Sequence, residues 1–160
     1  MNLSTHFTLD EMTRSQTALR LGIDNTPDAE EIENGRILCE TLLEPARAIL
    51  CKSAGRDVSM HIDSGFRSRA LNRAVGGSDT SAHTWFGAAD VVPAMPRGIS
   101  LEVAFDLLRN SDLPYDQIIF ECRLWIHLGM AMKGKTPRRE ALVATGGPGD
   151  WYYTKAKGLR

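Results

Sequence analysis

The spacing of apolar residues changes at residue 57, and this change limits the folds that the chain can adopt. Over residues 32–50, apolar side chains recur at the spacing of an amphipathic helix. Over residues 58–62, they alternate with polar side chains, which is the period of a half-buried strand. The sequence therefore predicts an α+β fold, in which N-terminal helices pack on a small antiparallel sheet.

The N-terminal third of the chain is predicted to be helical. Thr8 and Glu11 have the spacing of a capping box, and Gly22 ends the helix that they begin. A second, longer helix is expected to start at Thr26-Pro27, with the proline in the first helical position. Pro45 lies inside this helix and should kink or interrupt it.

The rest of the chain is predicted to carry the strands and their loops. Short helices should begin at Ser68 and Ser100, because serine is a good helix-capping residue. The other expected elements are a buried strand at 88–92, a hairpin of 116–121 and 125–130, an edge strand at 140–145 and a turn or loop at 146–150. We expect one domain over 1–160, made of a helical part (1–56), a core (57–145) and a tail (146–160).

Composition and charge argue against several classes of partner. The 19 basic and 20 acidic residues give a net charge of −1, so we expect no nucleic acid partner. No apolar stretch approaches the length of a membrane span, and the N-terminus does not resemble a signal peptide. We expect a protein made in the cytoplasm, which would act on the cell wall only if released. A monomer is compatible with the sequence, which does not determine the oligomeric state.

Three residues stand out as candidates for chemistry. His83 precedes Asp90, which begins an apolar run, and His127 lies inside an apolar strand pattern. Polar side chains in such places need partners. Two histidines and one carboxylate with an open position suit catalytic zinc, whereas the alternative is a hydrogen-bonded His–Asp pair in the core. His61 is interpreted as a structural histidine near the site, and His6 as a surface residue.

Six short segments follow one another in a characteristic order. They are Ser64-Gly65-Phe66-Arg67-Ser68, Leu71-Asn72, Val75-Gly76-Gly77, Ser81-Ala82-His83, Gly87-Ala88-Ala89-Asp90 and Trp125-Ile126-His127. Together they resemble the zinc D-alanyl-D-alanine carboxypeptidase family (peptidase family M-fifteen, subfamily A), whose fold is shared with the Hedgehog signalling domain. The resemblance is strong over residues 57–130, and the stretch from Phe7 to Pro27 looks like the phage and prophage branch of that family.

The resemblance implies one zinc ion held by His83, Asp90 and His127, with water as the fourth ligand. It also implies that Arg67 binds the developing oxyanion or a substrate carboxylate, and that Ser81 contacts the substrate or holds its loop. The alternatives are a surface salt bridge for Arg67 and a simple turn role for Ser81.

The sequence departs from the family pattern in two places. Some members have a carboxylate three residues before the last histidine, where this chain has Leu124, so we assign the general base to Glu121. The alternative for Glu121 is an ordinary carboxylate at a hairpin end. The family usually has glycine three residues after the first histidine, where this chain has Phe86. We therefore expect a shifted loop, with Trp85 and Phe86 forming a wall of the cleft. The alternative for these two aromatic residues is core packing.

The resemblance implies a zinc metallopeptidase that hydrolyses peptidoglycan stem peptides. The resemblance implies either a D-Ala–D-Ala carboxypeptidase or a phage endolysin-type endopeptidase involved in cell wall degradation. The alternative is a catalytically inactive, zinc-containing module that binds peptidoglycan or serves as a structural part of a phage particle.

Overall fold

The computed structural model describes residues 1–147 and 150–157, which form a layer of helices against one mixed sheet. The helices are α1 (Leu9–Thr13), α2 (Gln16–Leu21), α3 (Ala29–Leu38), α4 (Glu44–Ala54), α5 (Arg69–Ala74) and α6 (Leu101–Arg109). The strands are β1 (Met60–Ser64), β2 (Ala88–Pro93), β3 (Gln117–Glu121), β4 (Trp125–Gly129), β5 (Glu140–Gly147) and β6 (Asp150–Lys155). The predicted α+β class is confirmed.

The sheet has the strand order β1-β2-β4-β3-β5-β6, and its β3–β5 pair is parallel. The expectation of a purely antiparallel sheet was wrong at this pair. One edge of β4 pairs with β2 and the other with β3, so β5 cannot pair with β4 and instead binds the far edge of β3. The chain reverses direction between β4 and β5, which makes β5 antiparallel to β4 and hence parallel to β3.

The C-terminal segment contains more β-strand than predicted. β5 lies inside the sheet instead of at its edge, because β6 pairs with it in antiparallel register from Leu142 to Gly147. β6 therefore occupies part of the segment expected to be a turn and tail. Residues 148–149 of that turn and residues 158–160 of that tail lie outside the described residues.

The predicted long helix is interrupted at Pro45, as expected. α3 ends at Leu38, a π-helical turn covers Cys39–Leu43, and α4 starts at Glu44. Proline has no N–H to bond the carbonyl four residues before it, and a wider turn accommodates that missing bond.

The helix starts follow side-chain capping. The capping box of Thr8 and Glu11 is confirmed, as are the caps at Ser68 and Ser100. α3 begins later than predicted, because the side chain of Asp28 accepts a hydrogen bond from the Glu31 N–H. This makes Asp28 the cap instead of the Thr26-Pro27 pair. The first predicted helix is divided in two, since Ser15 caps a separate α2.

One face of the sheet packs against the helices and forms the core. α6 contacts β2, β3 and β4, and alternate strand residues point toward it. The opposite face, which we call the cleft face, carries Asp90, Glu121 and His127. Side chains buried on the core face include Val91, Ile118, Phe120, Ile126 and Leu128. Among the described residues, no helix is long and apolar enough to span a membrane.

Candidate active site

Two neighbouring strands place Asp90 and His127 side by side on the cleft face. The two residues are direct partners across the β2–β4 pair. Side chains of directly opposed residues in an antiparallel pair share one face. Nδ1 of His127 consequently lies 2.9 Å from Oδ1 of Asp90, and both residues are buried.

His83 reaches the same point from a short 3₁₀ turn, Ala82–Trp85, that precedes β2. Its Nδ1 lies 2.6 Å from the carbonyl oxygen of Gly65. Because a carbonyl can only accept, Nδ1 carries the proton and donates, which leaves the lone pair of Nε2 for the site. A backbone carbonyl that orients a histidine in this way is typical of metal ligands.

The three candidate ligand atoms form a small triangle. Nε2 of His83 is 3.2 Å from Nδ1 of His127 and 3.3 Å from Oδ1 of Asp90. The third edge, from Nδ1 of His127 to Oδ1 of Asp90, is 2.9 Å. Bonds of about 2.0–2.1 Å in a tetrahedral zinc site place neighbouring ligand atoms about 3.3 Å apart. The triangle therefore fits a small tetrahedral cation, and these three residues could hold a metal ion.

The protonation of the triangle also suits a metal. Burial lowers the pKa of His83, so its imidazole is neutral near pH 7. Burial alone would raise the pKa of Asp90, but the neighbouring His83 and the hydrogen bond from His127 hold that pKa well below its usual range. A neutral imidazole and an ionised carboxylate are the forms that bind metals.

Arg67 contacts the other oxygen of the same carboxylate. Its Nη2 donates to Oδ2 of Asp90 over 2.7 Å, and its Nε donates to Oγ of Ser64 over 2.8 Å. The ion pair is largely buried, with side-chain exposures of 19% for Arg67 and 3% for Asp90, so it is no surface salt bridge. Arg67 also lines the cleft, and its contact with substrate stays a prediction.

Glu121 lies on the cleft face at the end of β3, directly opposite Trp125 on β4. Its Oε2 accepts a hydrogen bond of 2.9 Å from the indole Nε1 of Trp125. Burial, followed by the negative charge of Asp90, raises the pKa of Glu121 above its ordinary value. Leu124 sits in the hairpin turn with 59% of its surface exposed, so it contributes nothing to this arrangement.

A comparison with protein-family models matches residues 5–129 to the family described as Peptidase M15. The chain belongs to the Peptidase M15 family. Family membership makes this chain a peptidase, and all three candidate metal ligands lie within the matched residues. No curated protein matches the chain at a significant level. The subfamily and the phage branch stay predictions.

The loop between His83 and β2 of this M15 chain is built without the expected glycine. Phe86 adopts a left-handed conformation with φ of 61° and is fully buried. Its ring packs 5.3 Å from that of Phe66, and a Cβ on Gly35 would come within 2.9 Å of it. The expectation that Phe86 forms a cleft wall was wrong, because core packing holds the ring under the site.

Trp85, in contrast, does line the cleft. A Cβ on Gly87 would lie 2.1 Å from the Trp85 ring, so the absence of a side chain is needed at this position. Ser81 also lines the cleft and directly precedes the 3₁₀ turn that carries His83. Its carbonyl accepts a hydrogen bond from Oγ1 of Thr84, so its backbone helps to hold the turn, while its substrate contact stays a prediction.

The two remaining histidines lie apart from the ligand triangle. His61 is exposed on β1 and lines the cleft, while the metal-ligand group found in the described residues contains only the three predicted residues. His6 is exposed, as predicted, and its Nδ1 lies 2.7 Å from Oε2 of Glu44.

Two aromatic residues of the site escaped the sequence analysis. Trp151 and Tyr153 lie on β6 and line the cleft, although their segment was interpreted as a tail. The run of aromatic and β-branched residues at 151–154, types that are enriched in strands, was the available indication of a strand. The cleft as a whole has a volume of about 1360 Å³ and runs along the cleft face past the ligand triangle.

Proposed function

We propose that this M15 peptidase uses one zinc ion to hydrolyse the stem peptides of peptidoglycan. The observation that carries the proposal is the triangle of His83, Asp90 and His127, which fits zinc and faces a large cleft. The cleaved bond would be D-Ala–D-Ala in a carboxypeptidase, or another stem-peptide bond in a phage endolysin-type endopeptidase.

Zinc is the metal that best suits this donor set. Two imidazole nitrogens and one carboxylate oxygen, with room for one more ligand, are typical of catalytic zinc sites. When bound, zinc polarises the scissile carbonyl and makes a water more acidic. The protein supplies a neutral His83, an ionised Asp90 and the Gly65 carbonyl that orients the first histidine.

Glu121 is proposed as the general base. Its raised pKa brings the carboxylate closer to the range in which it can both take and return a proton near neutral pH. The Trp125 N–H holds one carboxylate oxygen, which leaves the other free to accept the proton of the attacking water. Glu121 then transfers this proton to the leaving amine, so that the peptide bond breaks without releasing an unstable anion.

Arg67 is proposed to act on both the metal ligand and the substrate. Asp90 accepts a hydrogen bond from one N–H of Nη2, and Ser64 accepts one from the N–H of Nε. A guanidinium has five N–H donors in a fixed plane, so three remain for a developing oxyanion or a substrate carboxylate. Ser81, which also lines the cleft, is proposed as a second substrate contact.

A second candidate function is a zinc-containing module that binds peptidoglycan without cleaving it. Leu124 favours it, because this position carries a carboxylate in some relatives and is an exposed turn residue here. Phe86 does not favour it, since the loop reaches its left-handed geometry with phenylalanine in place.

The deciding experiment is mass spectrometry of purified muropeptides after incubation with the zinc-loaded protein. The peptidase predicts new products whose masses identify the cleaved bond, and their loss with Glu121→Gln. His61→Ala is the matched control, because His61 lines the cleft but lies outside the ligand group. Binding of muropeptides with no product from the zinc-loaded protein would favour the non-catalytic module.

A further inference from the structure

The match to the family model ends at residue 129, yet the sheet that carries the site continues beyond it. β5 and β6 extend the cleft face on the side of β3 that is away from the metal ligands. They are therefore the place where this chain could hold a substrate in a way that the family match does not describe.

A single row of paired residues crosses this part of the sheet. Trp125 pairs with Glu121, Glu121 with Ala144, and Ala144 with Tyr153. Residues paired in this way share a face, so Tyr153 lies on the cleft face in line with Glu121. The residue between them is alanine, so no large side chain separates the phenol from the carboxylate.

Trp151 lies two residues earlier on β6 and therefore also belongs to the cleft face. Its ring centroid is 6.5 Å from that of Tyr153, and both residues line the cleft. Although Tyr153 faces the cleft, 51% of its surface is exposed. The two rings thus form an aromatic surface that is open to a ligand lying along the cleft.

The chemistry of Tyr153 suits contact with a peptide. Burial, followed by the negative charges of Glu121 and Asp90, raises the pKa of the phenol. The hydroxyl therefore stays protonated near pH 7 and can donate to a substrate carbonyl, while the ring packs on aliphatic groups.

The position of β6 sets the size of ligand that can reach it. Three strand spacings, each about 4.8 Å, separate β4 with its metal ligand from β6. A peptide extending at about 3.3 Å per residue needs about four residues to span this distance. A dipeptide bound at the ligand triangle is too short.

We propose that Trp151 and Tyr153 form a subsite for the part of an extended peptide substrate that lies about four residues from the scissile bond. The inference rests on the proposed function, and it makes these residues determinants of substrate length. They hold the distal part of the peptide and take no part in bond cleavage.

The test compares a stem pentapeptide with the D-Ala–D-Ala dipeptide as substrates of the zinc-loaded protein. Tyr153→Ala and Trp151→Ala should each raise KM for the pentapeptide about fivefold to tenfold, the effect expected from losing one aromatic contact. The kcat for the pentapeptide and the rate for the dipeptide should stay within about twofold, because the subsite lies away from the reacting bond. Tyr153→Phe should recover most of the lost affinity.

Tyr152→Ala is the matched control. Tyr152 is the neighbouring tyrosine of the same strand, has a similar exposure of 61%, and points to the other face. Pentapeptide binding to the Glu121→Gln protein, with and without Tyr153→Ala, gives a second measure that does not need turnover.

Unchanged KM and unchanged binding in both Tyr153→Ala and Trp151→Ala would overturn the subsite while leaving the peptidase proposal intact. An equal loss in Tyr152→Ala would also overturn it, because the effect would then come from damage to β6. If the wild-type protein neither binds nor cleaves either peptide, the proposed function fails and the subsite fails with it.

Discussion

Arg67 and Asp90 are joined by a hydrogen bond of 2.7 Å from Nη2 to Oδ2, which leaves Oδ1 of the same carboxylate facing the two histidines. The arginine of the family motif thus fixes the orientation of the candidate metal ligand. The structure connects the cleft, the arginine and the metal site in one chain of contacts.

Arg67→Lys should therefore weaken zinc binding as well as catalysis. Lysine keeps the charge but cannot bond Ser64 and Asp90 through a planar fork. Loss of such a contact behind a ligand typically reduces metal affinity by about 10-fold to 100-fold, and we expect a reduction in this range. Zinc titration against a competing chelator measures it. Arg69→Lys, an exposed arginine two residues away, should leave the affinity unchanged. Equal affinity in both variants would limit Arg67 to a substrate role.

Glu121→Gln should separate zinc binding from chemistry. Glutamine keeps the shape and can still accept the Trp125 hydrogen bond, but it cannot take a proton from water. We expect zinc content close to wild type and a kcat lower by about 10²-fold or more, the usual contribution of a general base. An unchanged rate at normal zinc content would assign the proton transfer to another group.

The same substitution should stabilise the metal-free protein at neutral pH. Burial raises the pKa of Glu121 in the folded state, so the folded protein binds this proton more tightly than the unfolded chain. The folded protein therefore loses stability as the pH rises from 4.5, the ordinary pKa of a glutamate, through the raised pKa of Glu121. Urea unfolding without metal should give Glu121→Gln a higher free energy of unfolding than wild type at pH 7, and this difference should vanish below about pH 4. A difference that stays constant with pH would contradict the raised pKa.

Two of the three candidate metal ligands could be predicted from the residues because each is a polar residue in an apolar pattern, whereas His83 was indicated by the family resemblance. Asp90 and His127 stand in buried strands, where a polar side chain needs a partner on one face. The spacing did not reveal that they are directly paired across β2 and β4, since register depends on contacts distant in sequence. The contact between Arg67 and Asp90 is equally a product of the fold.

Tertiary packing explains the expectations that failed. The sequence analysis placed Phe86 in a wall of the cleft, whereas its ring is buried in the core against Phe66 and close to Gly35. The parallel pairing of β3 and β5 depends on which strand edges are already occupied. A local pattern contains no information about that order.

The central claim is that His83, Asp90 and His127 hold one zinc ion, and metal analysis of purified variants tests it most directly. We expect about one zinc per chain in the wild-type protein and in His61→Ala, whose histidine lies outside the ligand group. His127→Ala should lose most of its zinc, because two remaining ligands bind far more weakly than three. Full zinc occupancy in His127→Ala would contradict the account.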